Sequence, residues 1–341
     1  MTSEASEALD LARSLISIES TTGNEAAVSD FLHRYLLGRG WQVETIAVAE
    51  NRWNLFARKG TPRIAFSTHM DTVPPVLPSG EDEDFLYGRG ACDAKGILAA
   101  QIIAAEQLSR EEAASLCLLF VVGEERNSAG AIAANRWVKS QPFAAGLRYL
   151  INGEPTENRL ALGTKGSLRC TIEAAGRSAH SAYPELGENA IEKLLDALQL
   201  IRRLPLRSHP ELGKETVNIG TISGGTRPNI IPDHAEAEVM FRLVCNPEAL
   251  KEQIAQNTGS LAQVRFDFEV PVVLLKRLAD FDSAPMAYTT DIPFLTNFGE
   301  PLLLGPGSIQ DAHSVHEKIS KKELLRGVEL YAKLVRILLM R

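Results

Sequence analysis

The sequence predicts an α/β protein: a mostly parallel sheet covered by helices, interrupted by an inserted α+β domain of ferredoxin-like βαββαβ order. Three observations carry this. Apolar runs of strand length alternate with amphipathic stretches of helical length through about residue 155. One of those runs, residues 116–122, is apolar at almost every position, as a central strand buried on both faces demands. From Gly166 the rhythm changes to strand, helix, two strands, helix, strand, and after Val272 the first pattern resumes. The expected division is therefore 1–165 with 273–341 as one domain and 166–272 as the insert, and 341 residues suffice for two cores.

In order, a helix is expected from Ser3 to about Ser20, with Ala8, Leu9, Leu11, Ala12, Leu15 and Ile16 as its apolar face. Asn24-Glu25 opens a second, which Gly38 or Gly40 can end. Strands follow at 41–48, 53–58 and 63–68. Beyond an acidic loop, Ala91 to Gly96 opens a helix reaching Leu108. The apolar strand 116–122, a helix over 129–139 and a strand over 147–151 complete the first half. In the insert, strands fall at 167–174, 216–222, 235–244 and 264–272, with helices at 187–204 and 247–257. A strand at 302–304, a glycine-rich turn and a helix over 321–340 close the chain.

Composition excludes several classes. Apolar residues are 45% and charged residues 23% of the chain, as in ordinary globular proteins. A net charge of -7 opposes a nucleic-acid binder, which carries a basic patch. Cys92, Cys117, Cys170 and Cys245 are far apart, with no Cys-x-x-Cys pair, so buried free thiols are expected. The first residues carry no basic segment followed by an apolar one, and no run approaches a membrane span. The expectation is a cytoplasmic protein without a membrane partner.

The chemistry gathers where strands end. His69 and Asp71 leave the carboxyl end of the strand at 63–68, the place where open α/β sheets bind ligands. Glu124-Glu125 leaves the strand at 116–122. Adjacent residues there point in different directions, so one can coordinate a metal while the other accepts a proton. Asp93 lies between Gly90 and Gly96 just before a helix, and Glu154 is held extended by Pro155. His313 follows Gly305-Pro306-Gly307. Imidazoles and carboxylates in this mixture suit Zn²⁺, Mn²⁺ or Co²⁺. The Gly88-x-Gly90 pair lacks the rest of a dinucleotide fingerprint, and Asp93 would repel phosphate.

Five motifs in this order, Thr68-His69-Met70-Asp71, Gly88 through Gly96, Gly123-Glu124-Glu125, Gly153-Glu154-Pro155-Thr156 and Ala312-His313 with Glu317, give the chain a resemblance over nearly its whole length. It resembles the dinuclear-zinc amidohydrolases and exopeptidases that include acetylornithine deacetylase, succinyl-diaminopimelate desuccinylase, aminoacylase and the glutamate-releasing carboxypeptidases. The resemblance implies two divalent ions, zinc with cobalt or manganese as alternatives. One would be held by His69, Asp93 and Glu154, the other by Asp93, Glu125 and His313. It implies that Asp71 orients His69 through the second ring nitrogen. Glu124 would be the general base. The insert would be a lid, and a homodimer would form through it. Its His180, within Gly176-Arg177-Ser178-Ala179-His180, would stabilise the oxyanion. Asn229 and Arg242 would grip a substrate carboxylate. Thr290, Gly305 and Gly307 would line the pocket.

The substrate so implied is a small N-acyl amino acid, N-acetylornithine or a related N-acetyl amino acid first. N-succinyl-diaminopimelate and short peptides follow, and a metal-binding protein without catalysis is the reading from another class. Three positions depart from the commoner pattern: Cys92 where Ser or Thr is usual, Ala94 where Met is usual, and Gly123 ahead of the glutamate pair. None removes a ligand. Cys92 raises the expectation of an oxidation-sensitive site.

Overall fold

The computed structural model describes residues 3–341, and the chain forms two compact units. The first comprises residues up to 162, 275–284 and 290–341; the second comprises 163–274 and 285–289.

The first unit starts with helices α1 (Ser3–Ser17) and α2 (Ala26–Gly38). Strands β1 (Gln42–Ala49) and β2 (Arg52–Arg58) follow, then β3 (Ile64–His69) and the short β4 (Phe85–Tyr87). Next come α3 (Gly96–Glu106) and α4 (Arg110–Ala114), β5 (Leu116–Val121), α5 (Ala129–Val138) and β6 (Tyr149–Asn152). The second unit holds β7 (Gly166–Ala175), α6 (Ala190–Arg202), β8 (Thr216–Gly224), β9 (His234–Leu243), α7 (Glu248–Thr258) and β10 (Gln263–Val270). The chain returns to the first unit with β11 (Glu300–Leu303), β12 (Lys318–Ser320) and α8 (Lys321–Leu339).

The main sheet has the order β1-β2-β5-β3-β6-β11. The pairs β5–β3, β3–β6 and β6–β11 are parallel, whereas β1–β2 and β2–β5 are antiparallel. The antiparallel edge has a simple cause. Only Glu50 and Asn51 link β1 to β2, with Asn51 at φ 56°, and so short a link cannot make the crossover that parallel strands need. Alternation sorts the sheet's two faces. Phe66, Leu118 and Phe120 join the core beneath α1, α3 and α8, while Ala65, Cys117, Leu119 and Val121 join Ala131, Ala134 and Phe143 on the other side. Every residue of β3 and β5 is buried. Burying a side chain such as Phe66 or Phe120 contributes about 1.5–3 kcal/mol.

The register then fixes the site. His69 pairs with Val121, Ser67 with Asn152, and Leu303 with Asn152, so the carboxyl ends of β3, β5, β6 and β11 open at one edge.

The second unit is an antiparallel sheet of order β8-β9-β7-β10. Its core joins Leu168, Cys170, Ile172, Val239 and Phe241 to Leu194, Leu198 and Ile201 of α6 and to Leu250 and Ile254 of α7. Strand β8 pairs on one side only and is exposed over most of its length. Among the described residues no helix is long and apolar enough to cross a membrane.

Candidate metal centre

Asp93 is the middle of the site. The peptide after it is cis, and the backbone of Asp93 (φ -131°, ψ 87°) and Ala94 leaves the helical region, so the regular helix begins only at Gly96. That irregular turn presents each Asp93 oxygen to a different imidazole. Oδ1 lies 3.0 Å from His69 Nε2, and Oδ2 lies 3.3 Å from His313 Nε2. At the far sides, Glu154 Oε2 is 3.8 Å from His69 Nε2 and Glu125 Oε2 is 3.0 Å from His313 Nε2. Ligand atoms of His69, Asp93 and Glu125 all lie within 4.8 Å of one another. His69, Asp93 and Glu154 are buried, whereas half of the His313 side chain is exposed, on a backbone at φ 61°.

Electrostatics describes a site built for positive charge. Against the pull of burial, the imidazoles of His313 and His69 hold Asp93 well below the usual carboxylate range. Desolvation first, then Glu154, pushes Glu124 well above that range, and burial does the same to Glu154. Hydrogen bonds that the His313 imidazole donates to the Asp93 and Glu125 carboxylates push it up to about 10. Glu154 Oε1 is buried without a hydrogen-bond partner. Crowded carboxylates, an orphaned oxygen and two imidazoles in one cleft fit divalent cations, which replace the missing donors.

A model of the family described as "Peptidase family M20/M25/M40" matches residues 65–337. The chain belongs to this family. It is thus a metallopeptidase-family hydrolase. This M20 chain is 38% identical over 341 residues to a peptidase M20 domain-containing protein of Schizosaccharomyces pombe, covering 96% of this chain and 84% of the relative. To a probable carboxypeptidase of Emericella nidulans it is 35% identical over 379 residues, covering 97% of this chain and 89% of the relative. Its fold is that of a tripeptidase from Staphylococcus aureus, with a TM-score of 0.78 at 23% identity and coverage of 97% and 98%. Neither relative is named as an acetylornithine deacetylase, so the closeness to that enzyme expected from the motifs gains no support here.

The M20 chain differs from its sequence reading at several site residues. The His69 ring is oriented by the main chain: Nδ1 lies 2.8 Å from the Asp71 carbonyl oxygen and 3.7 Å from the carboxylate. The carboxylate is occupied elsewhere. Oδ1 accepts from Gly123 N (2.9 Å) and Glu124 N (3.1 Å), and Oδ2 accepts from Glu125 N (3.3 Å) and Thr22 Oγ1 (2.7 Å). Asp71 therefore holds the turn that carries both glutamates.

Gly305 and Gly307 sit where the backbone passes close to its neighbours. The Gly305 carbonyl accepts from Thr156 N and Asn158 N, and its N–H donates to Thr156 Oγ1. A Cβ at Gly305 would meet the Glu154 carbonyl at 2.5 Å, and one at Gly307 (φ 89°) would meet Cys92 Cβ at 2.8 Å. Thr290 is buried, and its hydroxyl accepts from Ile292 N. Cys92 is buried too, and desolvation with nearby Glu317 and Asp93 pushes its thiol well up. A protonated, enclosed thiol opposes the oxidation-sensitive site that the sequence raised.

His180, Asn229 and Arg242 belong to the second unit. His180 Nδ1 accepts from Ala182 N at 3.1 Å, so the ring proton sits on Nε2. Asn229 lends its carbonyl to Ser181 N, which sets it beside the His180 loop, and Arg242 Nη1 donates to Thr289 Oγ1 at 3.4 Å. Asp291 closes the Thr289-Thr290-Asp291 stretch whose Thr290 the motifs put at the pocket, but the sequence assigned the acid no role of its own. It is buried, and burial pushes its carboxyl up to about 7 against a hydrogen bond from the Ser128 side chain.

Proposed function

We propose that this M20 chain hydrolyses the amide bond on the amino side of an amino acid whose carboxylate is free, using two divalent metal ions. The observation that carries the proposal is the line of donors Glu154, His69, Asp93, His313 and Glu125, with Asp93 central. One ion would be held by His69, Asp93 and Glu154, and the other by Asp93, Glu125 and His313. Zinc is the metal proposed, and such ligands also accept cobalt or manganese. Bound there, the ions would polarise the scissile carbonyl and make water a nucleophile at neutral pH.

The chain's own residues handle protons and charge. Glu124 takes a proton from the attacking water and passes it to the leaving nitrogen as the C–N bond breaks. Asp71 keeps Glu124 in place through three main-chain bonds. His180 offers an Nε2–H of the kind that stabilises a tetrahedral oxyanion, and Arg242 offers a guanidinium for a carboxylate, with Asn229 as a further polar group. The substrate we put first is an N-acetyl amino acid, N-acetylornithine or a relative. A short peptide cleaved at its carboxyl end is the second reading, favoured by the name of the Emericella relative. Both share the bond and the free carboxylate. We also propose a homodimer through the second unit, whose strand β8 has an unpaired edge.

Glu124→Ala tests the chemistry. It is expected to keep both ions, measured by atomic emission, and to lose at least about 100-fold in kcat. Retained activity would sink the base assignment. Assays on acetylornithine, acetyl-lysine, succinyl-diaminopimelate and a dipeptide choose between the substrates, and failure on the first two with turnover of the dipeptide favours the second reading.

A further inference from the structure

We propose that the buried Arg89–Glu317 ion pair is a positioning device that holds Asp93 and His313 at the spacing one of the two ions requires. The inference rests on the metal reading above. Strand pairing brings the partners together: β12 lies against β4, with Ile319 opposite Leu86, so Glu317 arrives beside Gly88 and its carbonyl accepts from Gly88 N at 3.1 Å. There the Glu317 carboxylate does two things. Oε2 accepts from Arg89 Nη1 at 2.7 Å, and Oε1 accepts from Asp93 N at 3.2 Å and Cys92 N at 3.3 Å. Arg89 reaches the other way. Its Nη1 donates to the Ser314 carbonyl at 3.1 Å, next to His313, and its Nε donates to the Pro75 carbonyl at 3.1 Å.

One ion pair thus grips the backbone of Asp93 on one side and the residue after His313 on the other. The His313 turn is tied to the rest of the unit at its start, where Ser308 Oγ donates to Glu157 Oε1 at 3.1 Å. Nearer His313 the bonds from Ser314 Oγ to Asp311 O and from His316 N to Ser314 Oγ stay within the turn, and the tie outward is the one from Arg89 to Ser314 O. Arg89 is 4% exposed and Glu317 1%, so water does not compete for these contacts. A guanidinium's fixed fork and a carboxylate's two oxygens are needed to hold four directions at once. Neither side chain is among the donors proposed for the ions; they act through Asp93 and His313.

The test uses the full chain with Co²⁺ or Zn²⁺ as probe. Affinity is measured for each ion by chelator competition, together with the Co²⁺ absorption spectrum and the melting temperature of the metal-free chain. Groups that orient metal ligands typically change affinity by about 10- to 100-fold. Glu317→Gln is expected to keep one ion tight and to weaken the other by about that factor, with a changed Co²⁺ spectrum. Arg89→Lys and Glu317→Asp, which keep the charges but move them, are expected to fall between. The proposal fails if these variants bind both ions as tightly as the parent. It also fails if both ions weaken alike in step with the melting temperature, since that marks a structural role only. Should Glu317→Gln not fold, Arg89→Lys and Glu317→Asp decide by the same two criteria. A parent chain that binds no ion overturns the metal reading itself, an outcome distinct from the others.

Discussion

Asp71 shows what one carboxylate can do when its charge is spent on the backbone. Four donors converge on it, three of them the successive N–H groups of Gly123, Glu124 and Glu125. Hydrogen bonds to a charged group contribute about 1.5–3 kcal/mol each, so these bonds decide where the Glu124 carboxylate stands. A misplacement of about 1 Å in a catalytic group can cost about 100-fold in rate. Asp71→Ala is therefore expected to lower kcat about 100-fold and to loosen the ion that Glu125 would hold, with Asp71→Asn milder because one acceptor oxygen remains. Kinetics alongside metal analysis check this, and parental kcat in Asp71→Ala would refute it. Residue types singled out His69, Asp93, Glu124, Glu125, Glu154 and His313, and the structure brings His69, Asp93, Glu125, Glu154 and His313 into one candidate centre. What they withheld was the atom in use. Nothing in His-Met-Asp tells that Asp71 serves His69 by its carbonyl and the glutamate turn by its carboxylate. Nor does Gly-Pro-Gly tell how closely the chain at Gly305 and Gly307 packs against Glu154 and Cys92.

At the scale of elements, the second unit hangs one strand on a comparable anchor. Glu215, just before β8, is buried and accepts from Arg207 N (3.0 Å), Arg207 Nη2 (2.8 Å) and Val244 N (3.4 Å). Against the pull of burial, Arg207 and these amides hold its carboxyl below the ordinary range. A depressed carboxyl adds stability above its unfolded value, near 4.3, and that stability drains away as pH falls through the folded value. Glu215→Gln should cost about 2 kcal/mol at pH 7, and the gap to the parent should narrow at and below pH 4. Urea unfolding at both pH values measures it; an equal gap at each would contradict the assignment. Elements themselves were readable where apolar period and length agreed, as in β5 and the βαββαβ order. Strands β1 and β2 were read at 41–48 and 53–58, but their antiparallel pairing was not, and the small β4–β12 pair was not read at all. Their pairing is set by link length and by partners distant in sequence, which local pattern does not encode.

For the molecule as a whole, the open edge of β8 is the feature that bears on assembly. Ile222 is 55% exposed there, and an unpaired strand edge invites another strand. Sedimentation of the full chain is expected to give twice the 37.2 kDa chain mass, and Ile222→Glu to return it toward one chain. A parent that sediments as a single chain at micromolar concentration would remove the dimer.

The donor line also has an order in time. His69, Asp93, Glu125 and Glu154 precede the whole second unit in the chain, and His313 follows it. On a ribosome, which releases the amino-terminal part first, the four earlier donors emerge while the imidazole facing Glu125 and the second oxygen of Asp93 is still missing. A chain halted within the second unit would hold Asp93 and Glu154 against a single imidazole, with its acidic groups uncompensated. The insertion thus ties completion of the donor line to synthesis of the unit that interrupts it, and the whole line becomes a property of the late chain.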